Sequence, residues 1–316
     1  MIVLRVLISI MLSGFIMSCD DGRRANSTRL DVAVSDGVPN DAALSDTIMD
    51  AGVPAMRDHV FLLRVLDFAR EEDSQSLGFD LDDSVTEQGG ISGCGHADFQ
   101  TPDGHTGIDN QFSQLLPLIE QFGGMAIGVY GRTAIKSGNL MLMIELSDVD
   151  SLYNDDAVTM TIYRGLGTPL LGTDDLIEPW QTFDIDVDTH WLTTQNAQIT
   201  EGVLEVRGLD FTFPFYIFDF VFDITMKDAR FEIHLDEEAR HDGLLAGSIS
   251  IENMLQIADN IEGGDMLPGL IRTVGTTLAD MDPDADGLCQ SLSTTMVFES
   301  VGAFFYEDSP RPEAEE

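Results

Sequence analysis

Thr182-Phe-Asp-Ile-Asp-Val-Asp188 alternates apolar and acidic side chains without a break. A period of two places the apolar set on one face of an extended strand and the acids on the other. Ala157-Val-Thr-Met-Thr-Ile-Tyr-Arg164 and Phe231-Glu-Ile-His-Leu235 alternate in the same way. Between them lie Val203-Leu-Glu-Val-Arg207 and the aromatic stretch from Phe211 to Met226. Pro214 marks an edge or bulged position in that stretch, because it has no N–H to give to a ladder. Val60 to Phe68, Asn139 to Leu146, Gly243 to Ile251 and Thr294 to Tyr306 are compact apolar runs that suit buried strands. Many strands divided by turn residues predict a mainly β chain with several helices (α+β), an antiparallel β-sandwich or barrel-like sheet in a single large domain. On this reading the chain from Met125 to Leu235 is strand throughout.

Helical spacing is confined to three places. Ile108, Phe112, Leu115, Leu116, Ile119 and Phe122 fall on one face of a helix over 108–122, with Asp109 at its start and a bend at Pro117. Ile251 to Ile261 and Met266 to Ala279 carry the same period, separated by Gly263-Gly264.

The N-terminus sets the compartment. One basic side chain, Arg5, precedes the apolar run Val6 to Met17, which is too short for a stable transmembrane helix and reads as a signal peptide over 1–18. Ile16-Met-Ser-Cys19 has the form of a bacterial lipobox, which predicts cleavage after Ser18 and a lipid on Cys19. The expected location is the cell envelope, lipid-anchored to the outer membrane or to the periplasmic face of the inner one. Residues 19–57 lack aromatics and sustained periodicity, so they read as a disordered acidic tether. A globular domain over 58–308 and a loose tail over 309–316 complete the organisation.

Charge excludes one class of partner. The chain has 56 acidic and 16 basic residues, a formal net charge of −40. Nucleic acid is excluded as a ligand, since phosphate binding requires the opposite sign. The excess also strains the fold by self-repulsion, which bound divalent cations relieve.

Asp280-Met-Asp-Pro-Asp-Ala-Asp-Gly-Leu-Cys289 is the clearest chemical motif. Asp282, Asp284 and Asp286 alternate and Gly287 follows, as in the first half of an EF-hand loop. In that register Leu288 gives a backbone carbonyl, Gln290 sits at position 9, and Ser293 stands where a bidentate Glu belongs. The expectation is a shorter calcium loop with ligands borrowed from elsewhere; a solvated acidic turn is the alternative. With Cys19 lipidated, Cys94 and Cys289 remain, and an oxidising compartment favours their pairing. Free thiols, or metal ligation by Cys94 with His96, are the alternatives. A Cys94–Cys289 bridge makes Asp80, Asp82, Asp98, Asp103 and Asp109 candidates to complete the coordination.

Other chemistry is weakly signalled. No H-E-x-x-H, G-x-S-x-G, Walker or dinucleotide motif occurs. His234, Asp236, His241 and Asp242 cluster about a turn without a clear ligand pattern. No residue is assigned a catalytic role. Trp180 and Trp191 flank an acidic strand and are the candidate sugar contacts.

The lipobox, the acidic tether, Gly78-Phe-Asp-Leu-Asp82, Gly107-Ile-Asp-Asn-Gln111 and the terminal D-x-D-x-D-G with its closing apolar strand together resemble a group of acidic lipoproteins of myxobacterial type. The resemblance implies compartment and lineage and carries no mechanism. The leading expectation is therefore a non-enzymatic envelope protein with structural calcium, attached to membrane by its lipid and open to an envelope protein or polysaccharide partner. The alternative is a carbohydrate-binding or glycoside-cleaving protein of sandwich type.

Overall fold

The computed structural model describes residues 59–90, 92–123, 126–217, 220–235, 240–260 and 266–309. The expected signal peptide, Cys19, the tether and the tail beyond Ser309 lie outside them. The strands are β1 (His59–Phe68), β2 (Phe99–Gln100), β3 (Thr106–Ile108), β4 (Leu142–Ser147), β5 (Asn154–Leu166), β6 (Gln181–Thr200), β7 (Val203–Ile217), β8 (Phe220–His234), β9 (Arg240–Ser250), β10 (Met281–Pro283) and β11 (Cys289–Phe305). The helices are α1 (Phe112–Gly123), α2 (Ile127–Lys136), α3 (Ile251–Asp259), α4 (Met266–Leu270) and α5 (Thr276–Leu278). A π-helical turn, Ile271–Gly275, joins α4 to α5.

Strands β4 to β9 form a meander of antiparallel neighbours, β11 adds beside β9, and β1 closes the ring between β11 and β4. The result is an eight-stranded, barrel-like antiparallel sheet in one domain, with β10 added on β11. Closure removes the exposed edges that an open sheet of this width presents. Strand alternation carries through as expected: Phe183 and Ile185 are buried while Asp184 is exposed. Pro214 pairs with Asp223 of β8, whereas among the described residues β6 and β7 pair only at Gln198–Thr200 with Val203–Glu205. The proline thus sits where β7 has no ladder partner on its β6 side, as its missing N–H requires.

Two expectations are corrected. Met125 to Leu235 is not all strand, because Ile127–Lys136 is helix α2, packed against β1 and β7. Gly128 and Gly131 cost a helix about 1 kcal/mol each relative to alanine. Burial of Ile127 and Ile135 returns ~1.5–3 kcal/mol each, which outweighs that cost. Gly128 also lets the helix lie on β1, since a Cβ there would meet the Asp67 carboxylate at 2.4 Å. The first helix begins at Phe112 rather than at 108, because Thr106–Ile108 forms β3 and residues 109–111 are committed to tertiary hydrogen bonds.

β11 is the centre of the fold. It pairs with β9 and β1, and α1, α3 and α5 also pack on it. Residues 291–296 are buried without alternation, so both faces are covered. Four of those six residues are hydroxyl-bearing: Ser291, Ser293, Thr294 and Thr295. Buried hydroxyls need partners, and those partners lead to the site described next. Among the described residues, no helix is long and apolar enough to cross a membrane.

Candidate metal centre

The segment after β1 folds back over β11 and carries Gly78-Phe-Asp-Leu-Asp-Asp83. Asp109 N donates to Phe79 O (2.9 Å), and Leu81 N donates to Asp109 Oδ2 (2.7 Å), so the two segments hold each other. Ser84 N donates to Asp80 Oδ1 (3.0 Å). The three carboxylates of Asp80, Asp82 and Asp109 converge, with one oxygen of each within 4.8 Å of the others. Gly107 makes room for this: a Cβ there would lie 3.1 Å from Asp80 Oδ2, and its φ of +84° suits glycine.

Each residue of Gly107-Ile-Asp-Asn-Gln111 now has a physical task. Ile108 is core. Asp109 joins the cluster. Asn110, fully buried, donates from Nδ2 to Ser76 Oγ (2.8 Å) and Ala69 O (3.3 Å) and accepts from Thr295 N (3.1 Å). Gln111 N donates to Ser293 Oγ (2.8 Å), and its Nε2 donates to Ala97 O (2.8 Å). Gln111 Oε1 is buried with no hydrogen-bond partner among the described residues. A buried acceptor is costly unless a group outside the chain, such as a water, meets it.

Arg230, over the Phe79 ring, acts on Asp80 only at longer range and closes no ion pair with it. Among the described residues, no Lys or Arg forms an ion pair with Asp80, Asp82 or Asp109. Burial pushes the Asp109 carboxyl up to about 8, and the neighbouring charges of Asp280, Asp82 and Asp98 add to the rise. Asp280 is pushed up to about 7, again chiefly by burial, against the pull of hydrogen bonds from Ser293 N and Oγ. Asp82 and Asp98 are also raised, by burial first and by neighbouring carboxylates next. Oxygen donors alone, with no imidazole or thiolate among them, suit a hard cation.

The acidic ladder behaves differently. Asp284 Oδ1 accepts from Asp286 N (2.9 Å) and Leu288 N (3.0 Å), and its Oδ2 accepts from Gln290 Nε2 (3.1 Å). The Leu288 carbonyl accepts from Asp284 N and Gln290 Nε2. Asp282 lies in β10 and accepts from Ser248 Oγ (2.9 Å). Asp282, Asp284 and Asp286 do not gather into a three-oxygen cluster among the described residues. Asp284 to Gln290 instead form a turn held by hydrogen bonds within the segment, with Asp282 on the strand before it. Ser293 sits inside β11, where its N and Oγ both donate to the Asp280 carboxylate.

The disulfide does join the two regions. Cys94 and Cys289 are bonded, with Cα atoms 6.1 Å apart and a sequence separation of 195. Cross-linking so long a loop stabilises by about 5 kcal/mol in the chain-entropy model. Asp80 and Asp82 consequently share a cleft with Asp280, Asp282 and Asp284. Asp98 is placed beside this group by Thr86 N, which donates to its Oδ2. Asp103 is not part of it; it is exposed on the β2–β3 hairpin beside His105 (3.3 Å).

The remaining expectations fall away from the centre. His241 is buried edge-on against Phe61, His234 contacts Glu232 (3.2 Å), and Asp236 lies outside the described residues. Trp180 stacks near Phe304 (5.7 Å) and does not line the acidic cleft; the side chain of Trp191 is outside the described set. Arg207 and Arg230 line the same cleft and share the Glu205 carboxylate; neither they nor the role of Asp280 was legible in the sequence. Set against known proteins, the chain matches no family model, no curated protein and no solved structure.

Proposed function

We propose that this chain is a cell-envelope protein, lipid-anchored through Cys19, whose barrel is locked by a structural calcium ion and whose role is binding rather than catalysis. The observation that carries the calcium reading is the convergence of Asp80, Asp82 and Asp109 within 4.8 Å. Like charges at that spacing repel, and in a buried setting they either take up protons or bind a cation. Calcium accepts six to eight oxygens in irregular geometry, whereas magnesium demands a near-ideal octahedron and keeps its waters. Carboxylates carried on loops favour the larger ion. The disulfide is consistent with an oxidising compartment, and the anchor rests on Ile16-Met-Ser-Cys19.

Thermal melts in calcium and in chelator test this. A ligand at a hundredfold excess over its Kd stabilises by about 2.7 kcal/mol, which is roughly 5–10 °C for a domain of this size. An unchanged melting temperature at millimolar calcium contradicts the reading.

A further inference from the structure

The large apolar side chains that stay exposed are not scattered. Among the described residues, six of the thirteen gather at one end of the sheet: Leu166, Leu170, Leu171, Trp180, Phe304 and Tyr306. Strand ends bring them together. β11 pairs in parallel with β6 over Ala303–Phe305, and β5 flanks the other side of β6, with Leu166 opposite Asp184. Tyr306 N donates to Phe183 O (3.1 Å), and Trp180 N donates to Gly302 O (2.6 Å). The indole lies on Gly302, where a Cβ would meet it at 2.4 Å, and its ring is 5.7 Å from that of Phe304. Leu170 is tied to the residue after Trp180: its N donates to Gln181 Oε1 (2.7 Å), and Gln181 Nε2 donates to its carbonyl (3.1 Å). Leu171 follows and bridges Ile177.

Contiguous exposed apolar surface marks an interaction site, and the course of the chain says what meets this one. Phe61 of β1 pairs with Gly302 of β11. His59 lies two residues before Phe61 and Phe304 two residues after Gly302, so on these antiparallel strands both stand at the same end. The segment leading from Cys19 therefore joins the barrel at its aromatic end. Trp, Tyr, Phe and Leu are the side chains that settle at a membrane–water boundary. A sugar requires free polar groups beside the rings to orient it. The adjoining amide is not free, because Gln181 Nε2 also donates to Glu178 O (2.6 Å).

Charge selects the kind of lipid. Asp174, Glu178, Glu307 and Asp308 are exposed on the segments that carry the patch, and they repel anionic headgroups. The net charge of −40 likewise opposes a second copy of the chain on this face. The acidic cleft, at Cys289, lies at the other end of β11, roughly 50 Å away along the strand. We propose that the patch seats the anchored barrel on the headgroup layer of a zwitterionic lipid bilayer, with the acidic cleft turned away from the membrane. The proposal rests on the anchor reading above.

The test uses the full chain carrying Trp191→Phe, which leaves Trp180 as its one tryptophan. It is produced in a host that processes the lipobox and is reconstituted on phosphatidylcholine vesicles. Flotation with the vesicles reads the anchor, and quenching of Trp180 by lipids brominated on the upper acyl chain reads the docking. The expected result is flotation with quenching, together with protection of Trp180 from acrylamide. Leu170 is 71% exposed and bonds through its main chain, so Leu170→Asp leaves the fold intact. It should still float but lose the quenching, since a charge is expelled from the apolar boundary. Leu288→Asp, at the other end of β11, should keep it. Flotation without quenching overturns this proposal alone, as does quenching that survives L170D or is lost equally in L288D. Protection of Trp180 gained with the neutral glucan laminarin, or with rising protein density in place of lipid quenching, assigns the face to a glycan or a second copy and also overturns it. Failure to float overturns the anchor reading and the docking together.

Discussion

Two short acidic segments in this chain look alike in sequence and fold to different effect. Asp80-Leu-Asp82 and Asp282-Pro-Asp-Ala-Asp286 both alternate acid with apolar or small residues. In the second, Asp284 is satisfied by two backbone N–H groups and one amide, so the turn closes upon itself. In the first, one oxygen each of Asp80 and Asp109 is held by a backbone N–H, and the carboxylates converge with that of Asp82. Spacing alone does not define a metal site. What separates the two is where the donors come from: local N–H groups quench a carboxylate, while a tertiary neighbour such as Asp109 concentrates charge that something must neutralise.

Removing the link between the two segments should have the largest effect. Replacing Cys94 and Cys289 with serine is expected to cost 2–5 kcal/mol, or roughly 10 °C in melting temperature, and to weaken calcium binding by freeing the segment that carries Asp98. Chemical denaturation of the double variant checks the first part, and an unchanged midpoint breaks the argument.

Asp82→Asn separates the segments directly. It should abolish the calcium-dependent gain of about 2.7 kcal/mol, whereas Asp284→Asn should retain it and lose only the ~0.5–1.5 kcal/mol of a turn hydrogen bond. Retention of the gain in D82N with loss in D284N restores the ladder as the centre.

Acidity sharpens the comparison further. Asp109 and Asp280 have folded values raised above those of the unfolded chain. The metal-free fold therefore holds protons that the unfolded chain releases, and its stability falls as pH rises from about 4 to about 8. The slope is at most about 1.4 kcal/mol per pH unit for each retained proton. Calcium should flatten that fall, and its affinity should drop as pH decreases through the same window. Denaturation midpoints across this range in chelator and in calcium give the readout; a metal-free stability that climbs with pH is the contrary result. The smallest effect belongs to Asp286→Asn on the exposed turn, expected within about 0.5 kcal/mol of the parent in melts with or without calcium.

Much of the barrel was legible because strands with one wet face advertise a period of two, as at Phe183, Ile185 and their acidic neighbours. The pairing of Cys94 with Cys289 followed from compartment and count. Helix α2 was hidden because its glycines answer to a tertiary contact, the approach to Asp67, that no local period encodes. β11 was only half visible, since its buried Ser and Thr residues read as surface until their partners in the 109–111 segment and Asp280 are known. The acids near residues 80–109 were suspected, but choosing among them needed the fold: Asp103 and Asp109 are equivalent letters in sequence, one on an exposed hairpin and one in the cluster. Arg207 and Arg230 lie at register shifts, which are features of pairing rather than of sequence period.

We propose the cation at Asp80, Asp82 and Asp109 and not at the ladder. Calcium titration by calorimetry of the parent chain, D82N and D284N, run in parallel at pH 8, tests it most directly. The account predicts a binding event in the parent and in D284N that is absent from D82N. Binding that survives D82N and disappears in D284N, or no binding in the parent, contradicts it.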